Sequence, residues 1–128
     1  MEIRDNNKCF VCGSDNERGL KLSFKVGDGK ANTEFISPPH LQGYDGILHG
    51  GIISTILDEV MVKATGEKVV TVELTIKFLK PIPTGKKIIF HGRVSKVTKK
   101  IIFASSEAKD KDGNAFAIAT GKYFRLDY

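Results

Sequence analysis

Gly46-Ile47-Leu48-His49-Gly50-Gly51 runs straight into the apolar stretch from Ile52 to Val62, and two acids, Asp58 and Glu59, sit inside that stretch. Two glycines at the start of a helix leave backbone N–H groups bare at its positive end, where a developing negative oxygen can be held. A carboxylate on a mostly apolar helix is costly and needs a reason. An oxyanion holder and a helix acid two and a half turns later together point to attack on a carbonyl.

The helix that must carry these groups starts near Gly50 and runs to about Thr65, with Gly66 as its stop. At 100° per residue, Ile53, Ile56, Leu57, Val60 and Ala64 form one stripe, and Ser54, Asp58, Val62 and Thr65 share a flank. Glu59 falls on the other flank, above Lys63, where an i,i+4 ion pair is natural. Glu59 is therefore expected as a solvated surface acid, and Asp58 as the acid held against something.

Around the helix the pattern has period two. Leu20, Leu22, Phe24 and Val26 alternate with polar residues over 20–27, and Gly27-Asp28-Gly29 signals a hairpin into a second strand over 30–37, which Pro38-Pro39 ends. Beyond the helix, 68–79 alternates with Val70, Val72, Leu74, Ile76 and Phe78 on one face and Thr71, Glu73, Thr75 and Lys77 on the other. Strands over 86–97, 100–110 and 115–126 follow, the last two joined by the turn Lys111-Asp112-Gly113-Asn114. Phe24, Phe35, Phe78, Phe90, Phe103 and Phe116 lie within these strands, as core residues would. A single helix that is apolar over most of its circumference must be covered on most sides, and a curved antiparallel sheet does that. The class is α+β.

At 128 residues one domain is expected. No apolar stretch is long enough to span a membrane, and 1–8 lacks an apolar signal region, so a cytoplasmic protein is expected. The net charge of +5 suits either an ordinary soluble surface or an anionic ligand such as a phosphate-bearing cofactor or nucleic acid. No aromatic-rich basic motif favours nucleic acid. Lys80, Lys86, Lys87, Lys96, Lys99 and Lys100 are equally eligible for phosphates. Cys9 and Cys12 supply two zinc ligands where a structural site wants four, and His40, His49 and His91 lack ligand spacing. The pair reads as two packed or surface thiols, or as a metal half-site shared between subunits.

Gly46-x-x-His49-Gly50-Gly51, six intervening residues and then Asp58, together with Val70-Thr71-Val72-Glu73-Leu74-Thr75-Ile76-Lys77-Phe78-Leu79-Lys80-Pro81, resembles the hotdog-fold acyl-CoA thioesterases, in the branch that includes the phenylacetate-pathway and 4-hydroxybenzoyl-CoA thioesterases. The likeness covers roughly 20–126. It implies a hotdog fold: one long central helix wrapped by a curved antiparallel sheet, with 1–19 an irregular segment holding the Cys-x-x-Cys and 20–128 a single thioesterase-like domain. It further implies that the Gly50 amide points at the thioester carbonyl. Asp58 then acts as nucleophile or general base across a dimer interface, and a hydroxyl at Thr71 orients acid or water. His49, Gly51 and Gln42 are the expected substrate-binding residues, and His49 either fixes the turn before the helix or transfers a proton. Some members carry an asparagine where this chain has Gly43, so either Gln42 substitutes or Gly50 acts with the helix dipole alone.

A thioester is already an activated acyl donor, so no Ser-His-Asp triad is required, and no Gly-x-Ser-x-Gly elbow is present. The expected protein is a homodimer, paired further into a homotetramer, that hydrolyses an acyl-CoA to free acid and coenzyme A. Neither a metal nor an organic cofactor is implied, and no nucleic acid or membrane partner. The rival is a non-catalytic acyl-CoA or acyl-carrier binding module, or a ligand sensor, which would keep the pocket and not need Asp58. A dehydratase of the same fold would want the histidine and acid together, whereas His49 and Asp58 fall on nearly opposite sides of one helix.

Overall fold

Period-two alternation survives into the structure, a computed structural model that describes residues 2–127. The sequence bounds set at Met1 and Tyr128 lie outside the described residues. The chain forms β1 (Lys25–Gly27), β2 (Lys30–Ile36), a 3-10 turn (Pro39–Leu41), α1 (Gly50–Thr65), β3 (Val69–Phe78), β4 (Lys87–Val97), β5 (Ile101–Lys109) and β6 (Ala115–Arg125). All pairings are antiparallel, in the order β1-β2-β4-β5-β6-β3. One helix lies across one six-stranded sheet, the α+β hotdog arrangement. Because α1 follows β2, the chain crosses to the far side of the sheet and lays β3 down as an edge.

The helix begins and ends where its sequence dictates. Gly66 takes the left-handed conformation at φ 65°, which a side chain would resist. The expected stripe of Ile53, Ile56, Leu57, Val60 and Ala64 is buried, joined by Met61. Gly92 and Ser106, cross-strand partners at the centre of the sheet, set how close the helix sits. A Cβ on Gly92 would stand 2.6 Å from the Val60 carbonyl oxygen, so only glycine admits the helix there. The buried Ser106 hydroxyl donates to the Leu57 carbonyl at 3.0 Å. Ile88, Phe90, Ile102 and Ala104 fill the space beneath.

The first expected strand is a correction. Only Lys25–Gly27 of 20–27 joins the sheet, because Lys21 adopts a positive φ of 51° and turns the chain away. The alternation remains: Leu20, Leu22 and Phe24 still pack on the core. Their backbone bonds go to the N-terminal segment instead, Leu20 N–H to the Phe10 carbonyl at 2.8 Å and Leu22 N–H to the Val11 carbonyl at 2.9 Å. Val26, expected inside, is exposed.

The facing of β3 is a second correction. Thr71 pairs with Tyr123 and Glu73 with Lys122, so Val72 is an extra residue, a β-bulge. A one-residue insertion reverses which side chains face inward. Partners of the inward β6 residues are therefore Val69 and Thr71 before the bulge, and Leu74, Ile76 and Phe78 after it. Val70 and Val72, expected to share the face of Leu74, do not.

Candidate active site

Asp58 leaves the helix on the flank that meets this bulge. The Thr71 hydroxyl donates to Asp58 Oδ1 at 3.0 Å and stands 3.3 Å from Oδ2. The Tyr123 hydroxyl donates to Oδ1 at 2.9 Å. One carboxylate oxygen thus takes two hydroxyl bonds, and Oδ2 has only the longer approach of Thr71. Asp58 is half-buried and Thr71 is exposed, so the carboxylate lies near the open edge of the sheet. Sequence reasoning placed Thr71 on the outward face of its strand; the bulge turns it inward.

Tyr123 is the residue that sequence reasoning missed. Its ring is fully buried, and burial, followed by the Asp58 charge and the Asp58 hydrogen bond, pushes its phenol well above the ordinary tyrosine range. The phenol stays a proton donor at any working pH. Gly121 makes the geometry possible, since a Cβ there would stand 2.6 Å from the Tyr123 hydroxyl. A signal was present: Ala117, Ala119 and Gly121 line the inward face of β6, and a tyrosine after such small residues has room to lean and a hydroxyl that must find a partner.

At the other end of α1, His49 occupies the cap position with extended backbone, and its Nδ1 accepts the Gly51 N–H at 2.8 Å. This fixes the ring with Nδ1 unprotonated. The amide of Gly51, expected among the substrate-binding residues, thus serves the histidine. The Gly50 N–H has no acceptor among the described residues. Gln42, expected at the substrate, accepts the Gly46 N–H through Oε1 at 3.0 Å, closing the loop that leads to His49. The backbone of that loop is tied by Gly43 N–H to Ile47 carbonyl at 2.8 Å and His49 N–H to Leu41 carbonyl at 3.0 Å.

Two shallow hollows meet at Gly50. One, about 390 Å³, is lined by Gly43, Tyr44, Ile47 and His49. The other, about 260 Å³, is lined by Ile53, Phe78, Leu79 and Pro81. Phe78, expected in the core, is 54% exposed at this rim, and Tyr44 is 88% exposed. Of the lysines eligible for phosphates, Lys87 pairs with Glu34 at 3.3 Å and Lys86 with Asp110 at 3.6 Å, while Lys80 and Lys86 both lie over the Phe116 ring.

The structure therefore brings Asp58 and Thr71 together and gathers Gln42, His49, Gly50 and Gly51 at the helix tip, but keeps the two groups apart. Asp58 lies eight positions along α1 from Gly50, a rise of about 12 Å.

Glu59 faces away from this site. It is half-buried, not a solvated acid, and Oε2 accepts the Cys9 thiol at 3.3 Å. No Glu59–Lys63 ion pair forms among the described residues. Burial, then Cys9 and Glu59, push the Cys12 thiol up to about 11.

A capped apolar helix across a six-stranded antiparallel sheet, with an acid facing the sheet edge and a bare amide at the helix tip, defines a protein of the hotdog class. The family model described as the thioesterase superfamily matches residues 45–117, more than half of the chain, and the chain belongs to that superfamily. It is 32% identical over 121 residues to the acyl-coenzyme A thioesterase THEM4 of Bos taurus, covering 92% of this chain and 51% of that protein. The chain thus spans about half the length of that relative. In fold it matches the thioesterase superfamily protein RHA08564 with a TM-score of 0.85 at 21% identity, over 92% of this chain and 60% of that one. It also matches smu.793 of Streptococcus mutans, solved bound to acetyl CoA, with a TM-score of 0.75 at 21% identity, over 82% and 88%. Among the described residues no helix is long and apolar enough to cross a membrane.

Proposed function

We propose that this chain hydrolyses acyl-CoA thioesters to a free carboxylic acid and coenzyme A. The observation that carries the reading is the Asp58 carboxylate, anchored through Oδ1 by Thr71 and Tyr123 and left with Oδ2 toward the sheet edge. The acyl-CoA thioesterase relative and the acetyl-CoA-bound neighbour support the substrate class.

The thioester carbonyl oxygen rests on the Gly50 N–H, aided by the positive end of α1. Asp58 Oδ2 either takes a proton from water as that water attacks the acyl carbon, or attacks the carbon itself to give an anhydride that water then opens. In both routes the tetrahedral oxyanion is held at Gly50 and collapses to expel the coenzyme A thiolate. Thr71 and Tyr123 fix the carboxylate so that only Oδ2 is presented.

Since about 12 Å of helix separates the two groups, one site takes Asp58 from one copy and Gly50 from another. β3 supplies a surface for that pairing, being an unpaired edge with Val72 58% exposed at its bulge.

The test is turnover of a panel of acyl-CoAs. Asp58→Ala should lower kcat by at least ~100-fold with the fold intact. Equal turnover in both proteins would remove the catalytic assignment of Asp58, and no turnover in either would leave the binding-module reading. Gly50→Pro replaces the amide hydrogen by a ring carbon and keeps the helix: Gly50 is the first helical residue, where proline is favoured, His49 before it is already extended, and a Cβ there meets the Phe78 ring at an ordinary 3.5 Å. It should cost ~100-fold or more. Co-refolding equal amounts of Gly50→Pro and Asp58→Ala should restore about a quarter of wild-type activity, because half of randomly paired dimers then hold one intact site of two. No recovery would refute the shared site.

A further inference from the structure

Cys9, Cys12 and Glu59 take no part in that chemistry, yet the fold assembles them. Cys9 Sγ, Cys12 Sγ and a Glu59 carboxylate oxygen all lie within 4.8 Å of one another, each residue half-buried. The two sulfurs come from the N-terminal segment and the oxygen from the central helix, fifty positions away from Cys9.

We infer that these three side chains form a divalent metal site, best suited to zinc, that clamps the N-terminal segment to the Glu59 flank of α1. Two thiolates and a carboxylate are a ligand set that zinc favours, and soft sulfur selects it over magnesium or calcium. A zinc ion at ~2.3 Å from sulfur and ~2.1 Å from oxygen holds its ligand atoms about 4 Å apart, so closure needs side-chain movements of about an ångström. The fourth position of a tetrahedral ion is filled by water or by a donor from outside this set.

The loop is already shaped to present sulfur. The Val11 N–H points at Cys9 Sγ at 3.4 Å, a bond that strengthens as the sulfur becomes negative. The Gly13 N–H bonds the Cys9 carbonyl at 2.9 Å, and Gly13 is buried so tightly that a Cβ would stand 2.6 Å from the Asn7 carbonyl oxygen. Both cysteines are free thiols rather than a disulfide. Charge balances as well: two thiolates and one carboxylate meet a divalent ion and the Lys63 ammonium, which interacts with Cys12. The sequence showed two ligands of four, which left a half-site shared between subunits as its metal reading. The third comes from the helix, which only the fold could bring.

The probes are zinc chloride and cobalt chloride, added under reducing conditions to full-length protein stripped with a chelator. Wild type should take up one equivalent of zinc in competition with a coloured chelator, with Kd below about 1 µM. Cobalt should give sulfur-to-metal charge-transfer absorption, and zinc should raise the thermal midpoint. Cys12→Ser should abolish the cobalt band and the thermal shift. Glu59→Gln, which keeps shape and loses charge, should weaken zinc at least about tenfold while leaving the fold intact by circular dichroism. Binding weaker than about 10 µM, or equal binding in wild type and Glu59→Gln, overturns the site.

Discussion

The centre of the sheet and its β3 edge meet the same helix in different ways. At the centre, Gly92 lets the backbone of α1 down to contact distance, Ser106 bonds the Leu57 carbonyl, and Phe90, Ile88 and Ile102 close the space. At the edge, a bulge replaces regular pairing, hydroxyls replace aliphatic side chains, and Val72 and Phe78 remain exposed. The centre contributes close packing and stability. The edge holds a positioned carboxylate and an apolar rim, both left open where the sheet ends.

That contrast can be broken most forcefully at the centre. Gly92→Val puts branched carbon into the Val60 carbonyl and should cost about 3 kcal/mol or more, read as a large drop in denaturant midpoint. A stable Gly92→Val protein would show that the helix is not seated as described. At the edge the balance should reverse. Tyr123→Phe removes one hydroxyl bond to Asp58 and should cost about 1 kcal/mol in stability. Its kcat should fall about tenfold, because Oδ1 is then held by Thr71 alone. Because the phenol is pushed upward and keeps its proton, wild-type turnover should show no loss attributable to Tyr123 between pH 6 and about pH 10. Raised folded-state pKa means the phenol's stabilising bond is fully present below the unfolded value and is lost only as pH rises beyond it.

The smallest effect belongs to the β5–β6 turn, remote from both regions. Asp110 accepts the Asp112 and Asn114 amides at 3.0 and 2.9 Å and the Asn114 side chain at 3.1 Å, and these bonds, the Asn114 side chain foremost, hold its carboxyl below the usual aspartate range. A depressed pKa stabilises above the unfolded value and loses that contribution as pH falls through the folded one. Asp110→Asn should therefore lower Tm at pH 7, and the gap to wild type should close as pH drops below about 4. A gap that stays constant with pH would show that the turn does not depend on the charge.

Much of this was legible in the residues. The helix limits followed from a glycine stop and an apolar stripe, and β2, β4, β5 and β6 from alternation, because period and turn chemistry are local properties. Spacing alone placed Asp58 on a different flank from Glu59. What failed depended on distant partners. Over 20–27 the alternation was right and the pairing wrong, since the N-terminal segment took the backbone bonds. Glu59 was read as solvated because its cover, Cys9, comes from the far end of the chain.

The order of residues alone determined a single capped helix among antiparallel strands, an acid on its flank and glycine amides at its tip. Tertiary structure alone decided which groups meet: the extra residue at Val72 turns Thr71 inward, Gly121 lets Tyr123 lean onto Asp58, and the loop at Cys9 closes on Glu59. The reason is physical. Local pattern sets which face a side chain takes within its own element, but a bulge or a bare glycine resets that face through contacts with strands many residues away, and no local period records them.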